Sequence, residues 1–171
     1  IQEVDCLNDG SGICWAIGKS NRDATGAYGT QSFLTRITSS TWEPTYVTHT
    51  TGLTNSMLSS ISCWNATTCA VGGSITFNSI GRAAVGISSG PSVSPSVLPL
   101  PGGVAATSKV LDISCTSTGE CLAIGRFYAI TEVKYFLSKY DGTTWTTELL
   151  QLPTDALPQE VTYDSQYVAK I

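Results

Sequence analysis

The chain has 171 residues, enough to bury a core as one domain or as part of a longer repeat array. Charged residues make up only 13% of it, against the roughly 25% usual for soluble proteins. The net charge is −4 with no block of like charge, and no apolar run approaches the ~18 residues of a membrane-spanning helix. Nucleic-acid and anionic-membrane partners, which need a basic stripe, are therefore not expected.

Read in chain order, one pattern occurs three times. Val4-Asp5-Cys6 leads to Cys14-Trp15-Ala16-Ile17-Gly18, Ile61-Ser62-Cys63 to Cys69-Ala70-Val71-Gly72, and Ile113-Ser114-Cys115 to Cys121-Leu122-Ala123-Ile124-Gly125. Gly18, Gly72 and Gly125 are 54 and 53 residues apart, and a constant period of this size marks one supersecondary unit copied in tandem. The units fall at 1–57, 58–109 and 110–158. Because Ile1 opens directly in repeat material, a signal peptide is expected to have been removed.

In the first unit, Gln31 to Ile37 reads as a third strand and Thr41-Trp42 as the entry to a fourth. In the second, Arg82 to Ile87 reads as the third strand, but Ser89-Gly90-Pro91-Ser92-Val93-Ser94-Pro95 replaces the outer one, since proline is confined to edges. The third unit is the clearest. Val110 to Ser114 alternates apolar and polar residues, the mark of a half-buried strand. Cys121 to Arg126 suits a strand buried on both faces. Lys134 to Tyr140 and Thr143 to Leu149 flank an Asp141-Gly142 hairpin signal. Each unit thus reads as a four-stranded antiparallel meander, and the chain as all-β. Residues 159–171 begin a fourth unit or a closing strand, because Gln159-Glu160-Val161-Thr162-Tyr163 echoes Gln2-Glu3-Val4-Asp5-Cys6.

The cysteines lack the paired knuckle spacing and the histidines of a structural zinc site. The repeat assigns each unit its own pair: Cys6–Cys14, Cys63–Cys69 and Cys115–Cys121. Closing so short a loop is worth about 2.5 kcal/mol per bridge before strain. Persistent disulfides imply an oxidising, extracytoplasmic space: secreted, cell-surface or periplasmic. Asn65-Ala66-Thr67 is an acceptor sequence for N-glycosylation at Asn65 in a eukaryotic secretory protein.

Ser138-Lys139-Tyr140-Asp141-Gly142-Thr143-Thr144-Trp145 resembles a degenerate Asp-box, the Ser-x-Asp-x-Gly-x-Thr-Trp repeat of sialidase-type propellers. Gly142, Thr144 and Trp145 match, Asp141 sits one position late, and the first unit keeps only Thr41 and Trp42. The resemblance implies β-propeller blades; the clipped first hairpins are not part of the Asp-box pattern and mark a secreted repeat variety of their own. A propeller uses 4–8 blades, so three units imply a piece of a longer ring or closure in trans as a homo-oligomer. A β-trefoil is the alternative that closes with three, though the echo at Gln159 argues against it. Trp42 and Trp145 recur at one position and are expected between blades.

Candidate chemistry is sparse. Gly86-Ile87-Ser88-Ser89-Gly90 fits a nucleophile elbow, but a proline-rich stretch follows where that motif needs a helix, so Ser88 reads as a turn residue. His49, the one imidazole, lies in a Thr-rich linker. A sialidase-like glycosidase fragment would need clustered arginines, a tyrosine nucleophile and acidic partners, and Arg22, Arg36, Arg82 and Arg126 lack that context. Neither a dinucleotide fingerprint, a phosphate loop nor a calcium loop is present, so no cofactor or metal is expected. The reading is a non-catalytic binding or scaffolding module for a protein or glycan partner, or a lectin with sites between blades. The second-to-third-strand links, Lys19–Thr30, Gly73–Gly81 and Phe127–Val133, are the irregular ones. They nominate Arg22, Asn78 and Tyr128 as a binding face, with Trp64 as a further exposed contact.

Overall fold

A computed structural model of the chain describes residues 1–22, 28–38, 41–48, 53–101, 107–129 and 132–151. Their strands form three separate four-stranded antiparallel sheets, each a simple meander. The first holds β1 (Glu3–Cys6), β2 (Cys14–Arg22), β3 (Tyr28–Ile37) and β4 (Trp42–Tyr46). The second holds β5 (Leu53–Asn65), β6 (Thr68–Phe77), β7 (Ile80–Ile87) and β8 (Ser96–Val97). The third holds β9 (Ser108–Cys115), β10 (Cys121–Tyr128), β11 (Val133–Tyr140) and β12 (Trp145–Leu149). Proline-rich sequence leaves β8 only two residues long, paired with Ala84 and Val85 at the sheet edge.

The three disulfides are those read from the repeat, and each joins directly opposed residues of the first two strands of its sheet. Their Cα separations of 4.0, 3.9 and 4.0 Å suit the narrow, non-hydrogen-bonded pairs of an antiparallel ladder. Each also joins a pair that the ladder already holds in register, so the bridge staples a hairpin and does not join sheets.

The sheets stack in sequence order. β5 lies on β1, β2 and β3, and β9 lies on β5, β6 and β7. Two apolar clusters fill the joins. Trp15, Ile17 and Leu34 meet Leu58, Ile61 and Val71 at the first, and Ala70, Ala83 and Val85 meet Val110, Ile113 and Phe136 at the second. Strand burial follows from this stacking. β6, with a sheet on either side, is buried without a break from Cys69 to Gly73 and again at Ile75. β10 alternates instead, with Leu122, Ile124 and Arg126 half-buried, which corrects the expectation of a strand covered on both faces. The cause is that sheet three has a described neighbour on one side only.

Ladder register also corrects one landmark. Gly18 opposes Phe33 and Gly125 opposes Phe136, and the residue at that place in the second sheet is Gly73, opposite Ala84. Gly72 sits one position earlier, facing the third sheet, where an added Cβ would lie 2.6 Å from Val110 Cγ1. Trp42 departs from the expected inter-blade place: it is 59% exposed on an outer strand. Trp145 is half-buried against Tyr140, ring centroids 5.1 Å apart, at the edge of the second cluster.

Candidate functional site

The two-strand links lie at the ends of the strands away from the disulfides, and three residues nominated from sequence fall there. Arg22 ends β2, its backbone paired with Tyr28. Asn78 and Ser79, with φ of 49° and 65°, form a two-residue β6–β7 turn in which both positions are left-handed. Residues 73–77, expected in a loop, are strand as far as Phe77, because the turn is that tight. Tyr128 ends β10, its ring 5.7 Å from the guanidinium carbon of Arg126.

Trp64 stands at the opposite ends of the strands, beside the Cys63–Cys69 bridge. It is half-buried against the second cluster and abuts Gly119 in the β9–β10 turn of the next sheet. Its position therefore serves the join between units, and the structure does not bring it together with Arg22, Asn78 and Tyr128. Asn65 is exposed in the clipped turn, its Oδ1 accepting from Thr67 N at 2.9 Å. Ser88 is buried, and its hydroxyl accepts the Cys69 N–H at 2.8 Å. His49 lies outside the described residues.

Near the link ends, the inner strands of all three sheets border one cleft of about 150 Å³. Gln2 and Lys19 come from the first sheet, Met57, Ser59 and Ser74 from the second, and Lys109 from the third. Ser59 closes its floor by donating to Val110 O at 3.1 Å. Met57, 51% exposed, supplies an apolar rim. Lys109 opposes Arg126 across the β9–β10 ladder. Burial, and then the Arg126 charge, push the Lys109 amine below the usual lysine value. A cleft in an acidic protein is thus bordered by Lys19 and Lys109, with Arg126 beside it, and no carboxylate among its described lining.

A second cleft, about 460 Å³, lies on the third sheet by the Cys115–Cys121 bridge, lined in part by Ser114, Leu122, Lys139 and Tyr140. Its size does not make it the better ligand site. The residues in the places of Leu122 on the other sheets, Trp15 and Ala70, are covered by the next sheet.

No family model, curated protein or solved structure matches the chain. The basic cleft was missed in the sequence because its parts are scattered over the three units. The available signal was Lys109, the one cation in the run Ser108 to Cys115, whose other charged residue is Asp112.

Proposed function

We propose that the protein is a non-catalytic binding module of the β-propeller type, working in an oxidising extracytoplasmic space and engaging a partner that presents an acidic group. The observation that carries the binding reading is the basic cleft, assembled from all three units, with a lysine that is partly desolvated before any ligand arrives. Anions gain most from such a site, because a charge already stripped of water attracts more strongly.

Support for blades comes from the stacking. The first strand of each following unit lies on the preceding sheet, and no ladder crosses between units among the described strands, whereas a trefoil barrel pairs strands between repeats. All six cysteines are in disulfides, which fits an oxidising compartment. Ser88, the nucleophile candidate, is engaged inside the second sheet. Sugar sites buried inside the joins find less support, since Trp15, Ile17 and Leu34 are fully buried at the first and Val110 closes on Gly72 at the second.

The test is calorimetry at low ionic strength with two probes, a sulfated heparin hexasaccharide and an oligoglutamate peptide. Binding of either probe, abolished in a Lys19→Glu/Lys109→Glu variant, is the expected result. Silence toward both in the wild-type chain removes the acidic-partner reading.

A further inference from the structure

We propose that the acidic partner is a polysaccharide carrying sulfate or carboxylate groups along its length, laid across the link ends of all three sheets from Lys19 to Arg126. This rests on the acidic-partner reading above and narrows it. A single acidic group held in the cleft would satisfy that reading but not this one.

Charge is sorted along the strands. Lys19, Arg22, Arg82, Lys109, Arg126 and Lys134 all stand toward the link ends of their strands. Asp5, Asp9, Glu120 and Asp141 stand at the disulfide ends, in or beside the turns there. The net charge of −4 therefore hides a basic end. Two carboxylates that come near it are engaged: Glu132 pairs with Lys134 at 2.9 Å, and Glu3 Oε2 accepts the Ile61 N–H at 2.6 Å.

The cations of the third sheet lack fitting partners. Lys109 and Arg126 are directly opposed across the β9–β10 ladder, an arrangement of like charges that destabilises a sheet on its own. The Arg126 Nε is buried with no hydrogen-bond partner, and so is that of Arg82. A buried donor left unsatisfied costs stability as well, and an anion seated beside Lys109 and Arg126 offsets both terms.

The length of the ligand follows from where the charges sit. Lys19 belongs to the first sheet, Ser74 to the second, and Lys109 and Arg126 to the third, and stacked sheets lie about 10 Å apart. The track from Lys19 to Arg126 is therefore roughly 20 Å long. The cleft within it, about 150 Å³, admits one acidic group. Lys19, Ser74 and Arg126 also share one place, five residues after the second cysteine of each unit. The repeat itself sets the spacing, which suits a polymer with a regular repeat of its own.

Aromatic rings favour a sugar over a peptide. Phe77, 38% exposed, ends β6, and Tyr128, 36% exposed, ends β10, both at the link end. The Tyr128 ring lies 5.7 Å from the Arg126 guanidinium carbon. Sugar rings offer C–H faces that pack on such rings while their substituents reach the cations, and aspartate and glutamate side chains offer no such face.

The test is calorimetry on the full, disulfide-intact chain with heparin di- and hexasaccharides, oligogalacturonates of the same lengths, which carry carboxylates only, and an oligoglutamate matched in charge. A hexasaccharide of at least one series is expected to bind at least tenfold more tightly than its disaccharide and than the oligoglutamate, and the series that binds names the acidic group. Arg126→Gln should weaken the hexasaccharide at least fivefold and lower the slope of log affinity against log salt by about one. Lys139→Gln, at the disulfide end, is the control and should change neither, with thermal melts showing that both variants fold. Equal affinity for the two lengths, or no response to Arg126→Gln, would overturn the proposal while leaving the acidic-partner reading in place. Oligoglutamate binding as tightly as the hexasaccharide would do the same and give the face to an acidic protein. Silence toward every probe overturns both.

Discussion

The Ser62 hydroxyl accepts the backbone N–H of Cys115 at 3.0 Å, so the third unit's first hairpin is anchored to the second unit at a residue that carries its disulfide. Asp5 does the same for Cys63 at 2.6 Å. A neutral bond of this kind contributes about 1 kcal/mol, and one to a carboxylate about 2 kcal/mol. Ser62→Ala should therefore lower stability by about 1 kcal/mol and Asp5→Ala by about 2 kcal/mol, read as urea midpoints at constant slope. Equal losses for the two would contradict the charge-assisted reading.

Glycine has two different uses here. A Cβ on Gly125 would lie 2.1 Å from Phe136 Cζ and 2.6 Å from Lys109 O, a backbone atom that has little room to yield. Gly81 meets nothing within 4 Å. Gly125→Ala should cost about 2 kcal/mol or more through overpacking. Gly81→Ala should be neutral or gain about 0.5 kcal/mol from the unfolded chain's lost freedom. Thermal melts of the pair check both.

Replacing Cys115 and Cys121 by alanine should cost about 2.5 kcal/mol, the loop-closure value for so short a ring. Because β9 also packs on the second sheet, amide protection there should fall with the third unit, while the first sheet's exchange stays unchanged.

Asp141 caps the β11–β12 hairpin. It accepts the Thr143 hydroxyl at 2.7 Å and the Thr144 and Thr143 N–H groups at 2.8 Å, which hold its carboxyl well below the usual carboxylate range. A depressed folded value means a contribution that is complete above about pH 4 and is lost as the pH falls below it. Asp141→Asn should flatten that acid limb, followed as protection of the Thr143 and Thr144 amides against pH.

At Lys109 the charged form opposes folding, where at Asp141 it favours it, although stability rises with pH in both cases. The Lys109 amine is lowered in the folded state, so stability should rise as pH climbs toward the ordinary value of 10.5. Lys109→Met should raise the urea midpoint at neutral pH and remove this alkaline gain, while weakening acidic ligands.

Much of the fold was legible because a repeat supplies internal comparison. Two aligned cysteine pairs and a Thr-Trp hairpin in the third unit were enough to place strands in the first. The hairpin shows why: Asp141 in the third unit and Thr38 in the first cap the same turn, Thr38 Oγ1 accepting the Thr41 N–H at 3.2 Å. What stayed hidden was burial, because it depends on which sheet covers which. Ala70 and Leu122 share a place, yet one is fully buried and the other is not. Trp42 and Trp64 were misplaced for the same reason. One repeats without reaching a join, while the other fills a join without repeating.

All three disulfides close within a unit, and every contact between units is non-covalent. A recombination event that copies or deletes one whole unit therefore never strands a half-cystine. The array can change length in single genetic steps without creating a free thiol to scramble the remaining pairs during oxidative folding.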